Sequence, residues 1–152
     1  MKKLVVIAHN IRSLHNVGSI FRTAEGAGVN KLYLTGYTGH PPRKEISKVA
    51  LGSENRLPWE FNKSVTSVIN QLKKDGFLIV ALEQNPKAIN YNKFSAPRSK
   101  VALIVGNEVR GVSPQLLNKT DKIIEIPMLG ARKSLNVAVA FGIATFELKN
   151  KK

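Results

Sequence analysis

The sequence predicts an α/β domain, a mostly parallel open sheet flanked by helices. Three observations predict it. Short β-rich runs alternate with segments of helical spacing, the pattern of strands joined through crossover helices. The runs are apolar almost throughout rather than at every second residue, which suits strands buried on both faces. The length of 152 residues and hydrophobic content of 43% suit one domain with a real core. Residues 1–152 therefore read as a single unit, without internal repeat, low-complexity tract or interdomain linker.

The elements follow in order. LVVIAH (4–9) is the first strand. Behind it Val17, Ile20, Phe21, Ala24 and Gly28 keep helical spacing, with Asn16 as the expected N-cap. KLYL (31–34) is the second strand. TGYTGHPPRKE (35–45), with two glycines and two prolines, is expected to be the longest loop. Residues 64–75 begin with Ser64 and reach Gly76, giving a helix with both end signals. FLIVAL (77–82), VALIVG (101–106) and KIIEIP (122–127) complete the predicted strands. The last helix starts at Ser134 or Asn136 and repeats Val137, Phe141, Ala144 and Leu148 on one face. Its other side is uncharged too, and no Asp, Glu, Lys or Arg occurs from Ser134 to Phe146. A helix of that kind needs cover nearly all round. In a chain this small a partner subunit is the expected second cover, with 136–148 at the interface.

Twenty-four Lys and Arg oppose ten acidic residues, a net charge of +14 and a pI near 10.3. The excess is scattered over many sites, as suits a polyanion whose phosphates spread over a broad face. Solubility in a Lys-rich host is the plainer explanation of charge alone. The absence of cysteine excludes disulfides, a thiolate nucleophile and Cys-ligated zinc. The N-terminus has too short an apolar stretch for a signal peptide, and the charge-free C-terminal run is too short to span a membrane. A soluble, cytoplasmic protein is expected.

Familiar motifs are absent. Gly26 and Gly28 follow a helix and lack a third glycine, the wrong context for a dinucleotide fingerprint. Gly130 to Ser134 lacks P-loop spacing. His9, His15 and His40 show no paired metal spacing and read as local hydrogen-bonders, so no metal is expected. No G-x-S-x-G elbow is present.

Three clusters remain: residues 15–28 after the first strand, 105–112 after another, and the stretch from Ile126. All leave the carboxyl ends of strands, where ligands collect in open α/β sheets. Singly each has a dull explanation. Asn16, Ser134 and Asn136 suit helix caps, Arg22 a solvated side chain and Glu108 a surface acid. As an ordered set they say more. N-x-G-x-x-x-R-T-A at 16–24, G-N-E-x-x-G at 106–111 and I-P-M-x-G-x-x-x-S-L-N-V at 126–137 resemble the three motifs of the SpoU-type (TrmH-like) RNA ribose 2′-O-methyltransferases of the SPOUT superfamily. The resemblance runs from about Leu4 to Leu148.

The resemblance implies a C-terminal deep trefoil knot, a homodimer and S-adenosylmethionine as cofactor. It places the cofactor against Leu82, Gly106, Asn107, Ile126, Met128, Gly130, Ser134 and Leu135. Methyl transfer to a ribose 2′-hydroxyl follows, in tRNA slightly ahead of rRNA. Arg22 is implied to handle the hydroxyl, as base or as electrostatic stabiliser, and Asn16 to orient RNA. Glu108, Ser134 and Asn136 are implied to complete the catalytic pocket. Many relatives carry an added N-terminal RNA-binding domain. Here recognition is expected from the dimer's own surface, including Arg43, Lys44, Arg132 and Lys133. Ala138 stands where the family often has Ser, with little effect expected. Two rivals remain: a catalytically silent RNA binder on the same fold, and a base-methylating SPOUT enzyme.

Overall fold

A computed structural model describes residues 2–151. Its strands are β1 (Lys3–His9), β2 (Lys31–Thr35), β3 (Trp59–Asn62), β4 (Leu78–Leu82), β5 (Ile89–Asn90), β6 (Lys100–Val105) and β7 (Lys122–Glu125). The helices are α1 (Leu14–Gly26), α2 (Lys44–Ala50), α3 (Val65–Lys74), α4 (Pro114–Leu117) and α5 (Val137–Asn150). The strands form one sheet in the order β3-β2-β1-β6-β4-β7-β5, and every pairing is parallel.

The apolar runs are explained by burial on both faces. Leu4, Val6 and Ala8 of β1 point to one side, into a core with Leu32, Leu34, Leu103, α1, α2 and α5. Val5 and Ile7 point to the other, against Ile79, Ala102, Ile104 and the Val68–Ile69–Leu72 face of α3. Strand β1 lies between β2 and β6, with Val6 opposite both Leu32 and Leu103.

Two expectations need correction. The N-cap of α1 is Ser13, not Asn16: the Ser13 hydroxyl accepts from the Asn16 backbone N–H at 3.1 Å. Asn16 lies inside the first turn, which frees its side chain for other work. The predicted loop 35–45 runs into α2, and the segment between Glu125 and Val137 is longer than the one between Thr35 and Lys44. Strands β3 and β5 carry no clear signal because they are short and lie at the sheet edges. Its own chain covers α5 on one face only, leaving open the side for which a partner's cover is expected. Phe141, Ala144, Thr145 and Leu148 are buried, while Val139, Ile143 and Phe146 are 51%, 38% and 45% exposed.

Helix α1 is held between α2 and α5. A Cβ added at Gly18 would lie 2.7 Å from the Ile46 carbonyl oxygen and 2.8 Å from Val49 Cβ. Backbone cannot rotate aside, so Gly18→Ala must push α2 off α1. It is expected to cost about 2 kcal/mol, read as a lower urea midpoint with an unchanged slope.

Candidate functional site

The loops at the carboxyl ends of β1, β4, β6 and β7 meet at one place. The turn after β6 is built locally. The Asn107 side-chain oxygen accepts from the Val109 and Arg110 N–H groups, both at 2.9 Å. Gly111 closes it at φ +66°. Asn107 Nδ2 donates to the Asn10 carbonyl at 3.0 Å and to the Tyr37 hydroxyl at 2.8 Å. Both ends of this amide are therefore committed to the protein.

That turn presents Glu108 to the start of α1. Its carboxylate accepts from the backbone N–H of Arg12 at 2.9 Å, of Ser13 at 2.7 Å and from Asn16 Nδ2 at 3.0 Å. Asn16 Oδ1 in turn accepts from Asn136 Nδ2 at 3.2 Å. Asn136 Oδ1 caps α5 by accepting from Ala138 N at 2.8 Å and Val139 N at 3.3 Å. One hydrogen-bonded line thus joins three clusters, with links spanning 92 and 120 positions.

Burial pushes the Glu108 carboxyl upward, but the N–H groups of Arg12 and Ser13 and the Asn16 amide outweigh it and hold it below its ordinary 4.5. A carboxyl depressed in the folded state contributes stability that is complete above its unfolded value and lost as pH falls through the folded one. Acid denaturation below about pH 4.5 is expected to be less steep in Glu108→Gln than in the wild type, measured by urea titration at stepped pH.

A cleft lies against this line of bonds. Leu82, Gly106, Asn107, Ile126, Met128, Ser134 and Leu135 all line it, together with Glu108. Gly130 does not: it is exposed, and nothing lies within 4 Å of a Cβ added there. Sequence reasoning did not single out Glu83 and Gln84, which also line the cleft. Glu83 Oε2 accepts from Val112 N at 2.8 Å, and Gln84 Nε2 donates to the Lys133 carbonyl at 2.7 Å. Their one visible signal was position, directly after the carboxyl end of β4. Ser134 is exposed at the cleft wall and does not cap α5.

Arg22 stands apart. It is exposed on α1, makes no hydrogen bond or ion pair among the described residues, and is not part of the cleft lining. Six residues after Asn16, it sits roughly 9 Å along the helix and about 240° around it. Among the basic residues, Arg43 lies 3.7 Å from Glu45, and Lys44, Arg132 and Lys133 are exposed. His9 is half-buried, with Nδ1 2.9 Å from Thr35 Oγ1, and burial lowers its pKa below 6.5. His40 Nδ1 lies 2.8 Å from the Pro41 carbonyl.

Residues 3–146 match the model of the SpoU rRNA Methylase family. The chain belongs to that family.

Among SpoU relatives, a tRNA (guanosine(18)-2′-O)-methyltransferase of Aquifex aeolicus is 36% identical over 99% of this chain and 71% of its own length. The crystal structure of an A. aeolicus TrmH/SpoU tRNA modifying enzyme has a TM-score of 0.87 at 34% identity, over 99% of this chain and 76% of that one. The structure of an AdoMet-bound rRNA methyltransferase from Sinorhizobium meliloti has a TM-score of 0.90 at 28% identity. This chain spans 97% of itself but 56% of that S. meliloti chain.

Proposed function

We propose that the chain is an S-adenosylmethionine-dependent methyltransferase acting on a ribose 2′-hydroxyl of structured RNA, as a homodimer. The observation that carries the reading is the Asn136–Asn16–Glu108 line of hydrogen bonds set against the cleft. It supports convergence of all three family motifs on one site.

The cleft suits the cofactor. Leu82, Ile126, Met128 and Leu135 give apolar walls for an adenosine and a methionine chain. Three of the ten acidic residues, Glu83, Glu108 and Glu125, line the same cleft against a single basic residue, Arg110, in a strongly basic chain. That local negative charge favours a cationic ligand. When bound, S-adenosylmethionine supplies a methyl group on a positively charged sulfur.

The chain's own residues do the rest. Gly106, Ser134 and Leu135 shape the cofactor site, while Glu108 and Asn136 fix the loops that carry it. Arg22 offers a planar fork of N–H donors. Its role is to hold the phosphate beside the acceptor ribose and stabilise negative charge developing on the 2′-oxygen as the ribose hydroxyl's own proton leaves for water. Asn16 keeps α1 in register with both motif loops and orients RNA at their edge. The basic residues Arg43, Lys44, Arg132 and Lys133 supply phosphate contacts.

Arg22 lies outside its own cleft, so this reading needs the dimer: Arg22 of one copy serves the cleft of the other. The uncovered Val139, Ile143 and Phe146 stripe of α5 supports a second copy there, since those positions fall on one helix face. Ile143→Asp is expected to convert a dimer to a monomer in sedimentation velocity, because the charge would be buried unpaired. The path of the single chain fits a C-terminal trefoil knot. The segment after β7, outboard of β4, returns to place Asn136 beside Asn16 behind β1.

tRNA is the favoured substrate, on the Aquifex relative's identity over nearly the whole chain. A cytoplasmic location fits an RNA substrate, and among the described residues no helix is long and apolar enough to cross a membrane. The test is direct. Calorimetry with S-adenosylmethionine comes first, then transfer of labelled methyl to bulk tRNA, digestion and nucleoside mass spectrometry. Methyl on ribose is expected. Methyl on a base replaces the acceptor assignment, and no cofactor binding leaves a silent RNA binder.

A further inference from the structure

Beyond the cleft, one edge of the sheet carries aromatic rings that the reading above does not use. Trp59 and Phe61 of β3 lie opposite Leu32 and Leu34, on the α1 face of the sheet. Buried Phe21 meets Trp59 edge-on, with ring centroids 6.1 Å apart. Outward from Trp59 the row continues through His40 at 6.0 Å, and His40 lies 4.7 Å from Phe61 at a 37° tilt. The outer end is open: His40 is exposed and Phe61 is 38% exposed.

The loop bearing His40 also bears Tyr37, which is 61% exposed and bonded through its hydroxyl to Asn107 in the cleft wall. This loop is tied down. Buried Thr38 donates its hydroxyl to the Thr35 carbonyl at 2.7 Å and accepts from Ile11 N at 3.0 Å. Tyr37 N donates to Asn10 Oδ1 at 3.1 Å, and Gly36 N to the Lys63 carbonyl at 3.3 Å. Large apolar rings held open to water at a fixed place mark a binding surface more than a packing surface. Exposed Arg43, Lys44 and Lys63 lie next to them in the chain.

Rings beside cations, rigid and next to a cleft mouth, match the chemistry of an unpaired nucleobase and its phosphates. We propose that Tyr37, His40 and Phe61 form a stacking platform for unpaired bases flanking the modified nucleotide, with Arg43 and Lys44 holding the adjoining phosphates. The platform selects for single-stranded or loop RNA, because bases paired in a helix cannot present their faces to it. It rests on the RNA reading above.

The experiment uses the full chain, a fluorescein-labelled single-stranded RNA oligonucleotide of mixed sequence, and heparin as a polyanion without bases. The single Trp59 reports on the row without labelling. In the wild type, RNA is expected to quench its emission and heparin to leave it unchanged. Tyr37→Ala and Phe61→Leu are each expected to weaken RNA binding about tenfold while leaving heparin affinity unchanged, and Phe61→Leu, which touches no cleft residue, is expected to leave S-adenosylmethionine calorimetry unchanged as well. Tyr37→Phe keeps the ring and should bind RNA as the wild type does. Arg43→Ala with Lys44→Ala should weaken both polyanions. Ring variants that keep full RNA affinity, or lose RNA and heparin alike, overturn the platform while the RNA reading stands. A wild type that binds heparin but no RNA overturns the RNA reading itself.

Discussion

Gly106→Ala is expected to abolish cofactor binding and to lower thermal stability. A Cβ at Gly106 would stand 2.5 Å from the Gly111 carbonyl oxygen, 2.6 Å from its carbon and 2.8 Å from Val112 N. All three are backbone atoms in the turn that presents Glu108, and that turn is locked by the Asn107–Gly111 bridge. Relief therefore requires the turn to move, which costs about 2–3 kcal/mol and takes Glu108 away from Arg12, Ser13 and Asn16. A fall in melting temperature of about 4–12 °C should accompany loss of the calorimetric signal with S-adenosylmethionine. Gly111→Ala is a milder case. Its nearest clash, with Glu83 Oε2, involves a side chain that can turn away by giving up its bond to Val112 N, a loss that adds to the cost of φ +66°. Gly130→Ala completes the series, since nothing approaches within 4 Å and its backbone is unstrained. Stability should not change there, so any loss of cofactor affinity would report contact with the ligand itself. A Gly106→Ala protein that binds the cofactor normally would refute the placement of the site.

How far the sequence could be read depended on whether a signal was local. The buried strands were visible because both faces of β1, β4 and β6 are covered, which makes them apolar without alternation. Helix α3 was visible because Ser64 caps it and Gly76 follows at φ +87°. Short pieces were not. Strand β5 has two residues, and α2 buries Ile46 and Ala50 and leaves its other face to solvent. The start of α1 offers Ser13 and Asn16, both good caps, and local rules cannot choose between them. Long-range bonding does choose: Asn16 is used by Glu108 and Asn136, so Ser13 takes the cap. That a cap-like residue served a distant site was legible only through the three motifs in order. Glu83 and Gln84 stayed hidden because their partners, Val112 and Lys133, are neighbours only after folding.

Arg22→Ala is expected to cut methyl transfer by about a hundredfold or more while leaving the fold and cofactor affinity intact. Arg22 is exposed and has no partner among the described residues, so its removal should change stability by less than about 0.5 kcal/mol. Loss of rate without loss of stability would then be chemical in origin. Arg22→Lys should recover little, because an ammonium lacks the planar fork that grips a phosphate in two places. The stronger test concerns which cleft Arg22 serves. Arg22→Ala and Gly106→Ala homodimers are both expected to be inactive, each lacking one half of every site. Mixed and reassembled in equal amounts, they give heterodimers in half of the population. If Arg22 acts across the interface, each heterodimer joins an intact cleft to an intact Arg22 once, and about a quarter of wild-type activity returns by two-fold symmetry. If Arg22 serves its own cleft, no chain in the mixture has both parts, and nothing returns. Undiminished transfer by Arg22→Ala alone would remove Arg22 from the chemistry altogether, leaving the Asn16–Glu108–Asn136 line as a scaffold without its reactive partner.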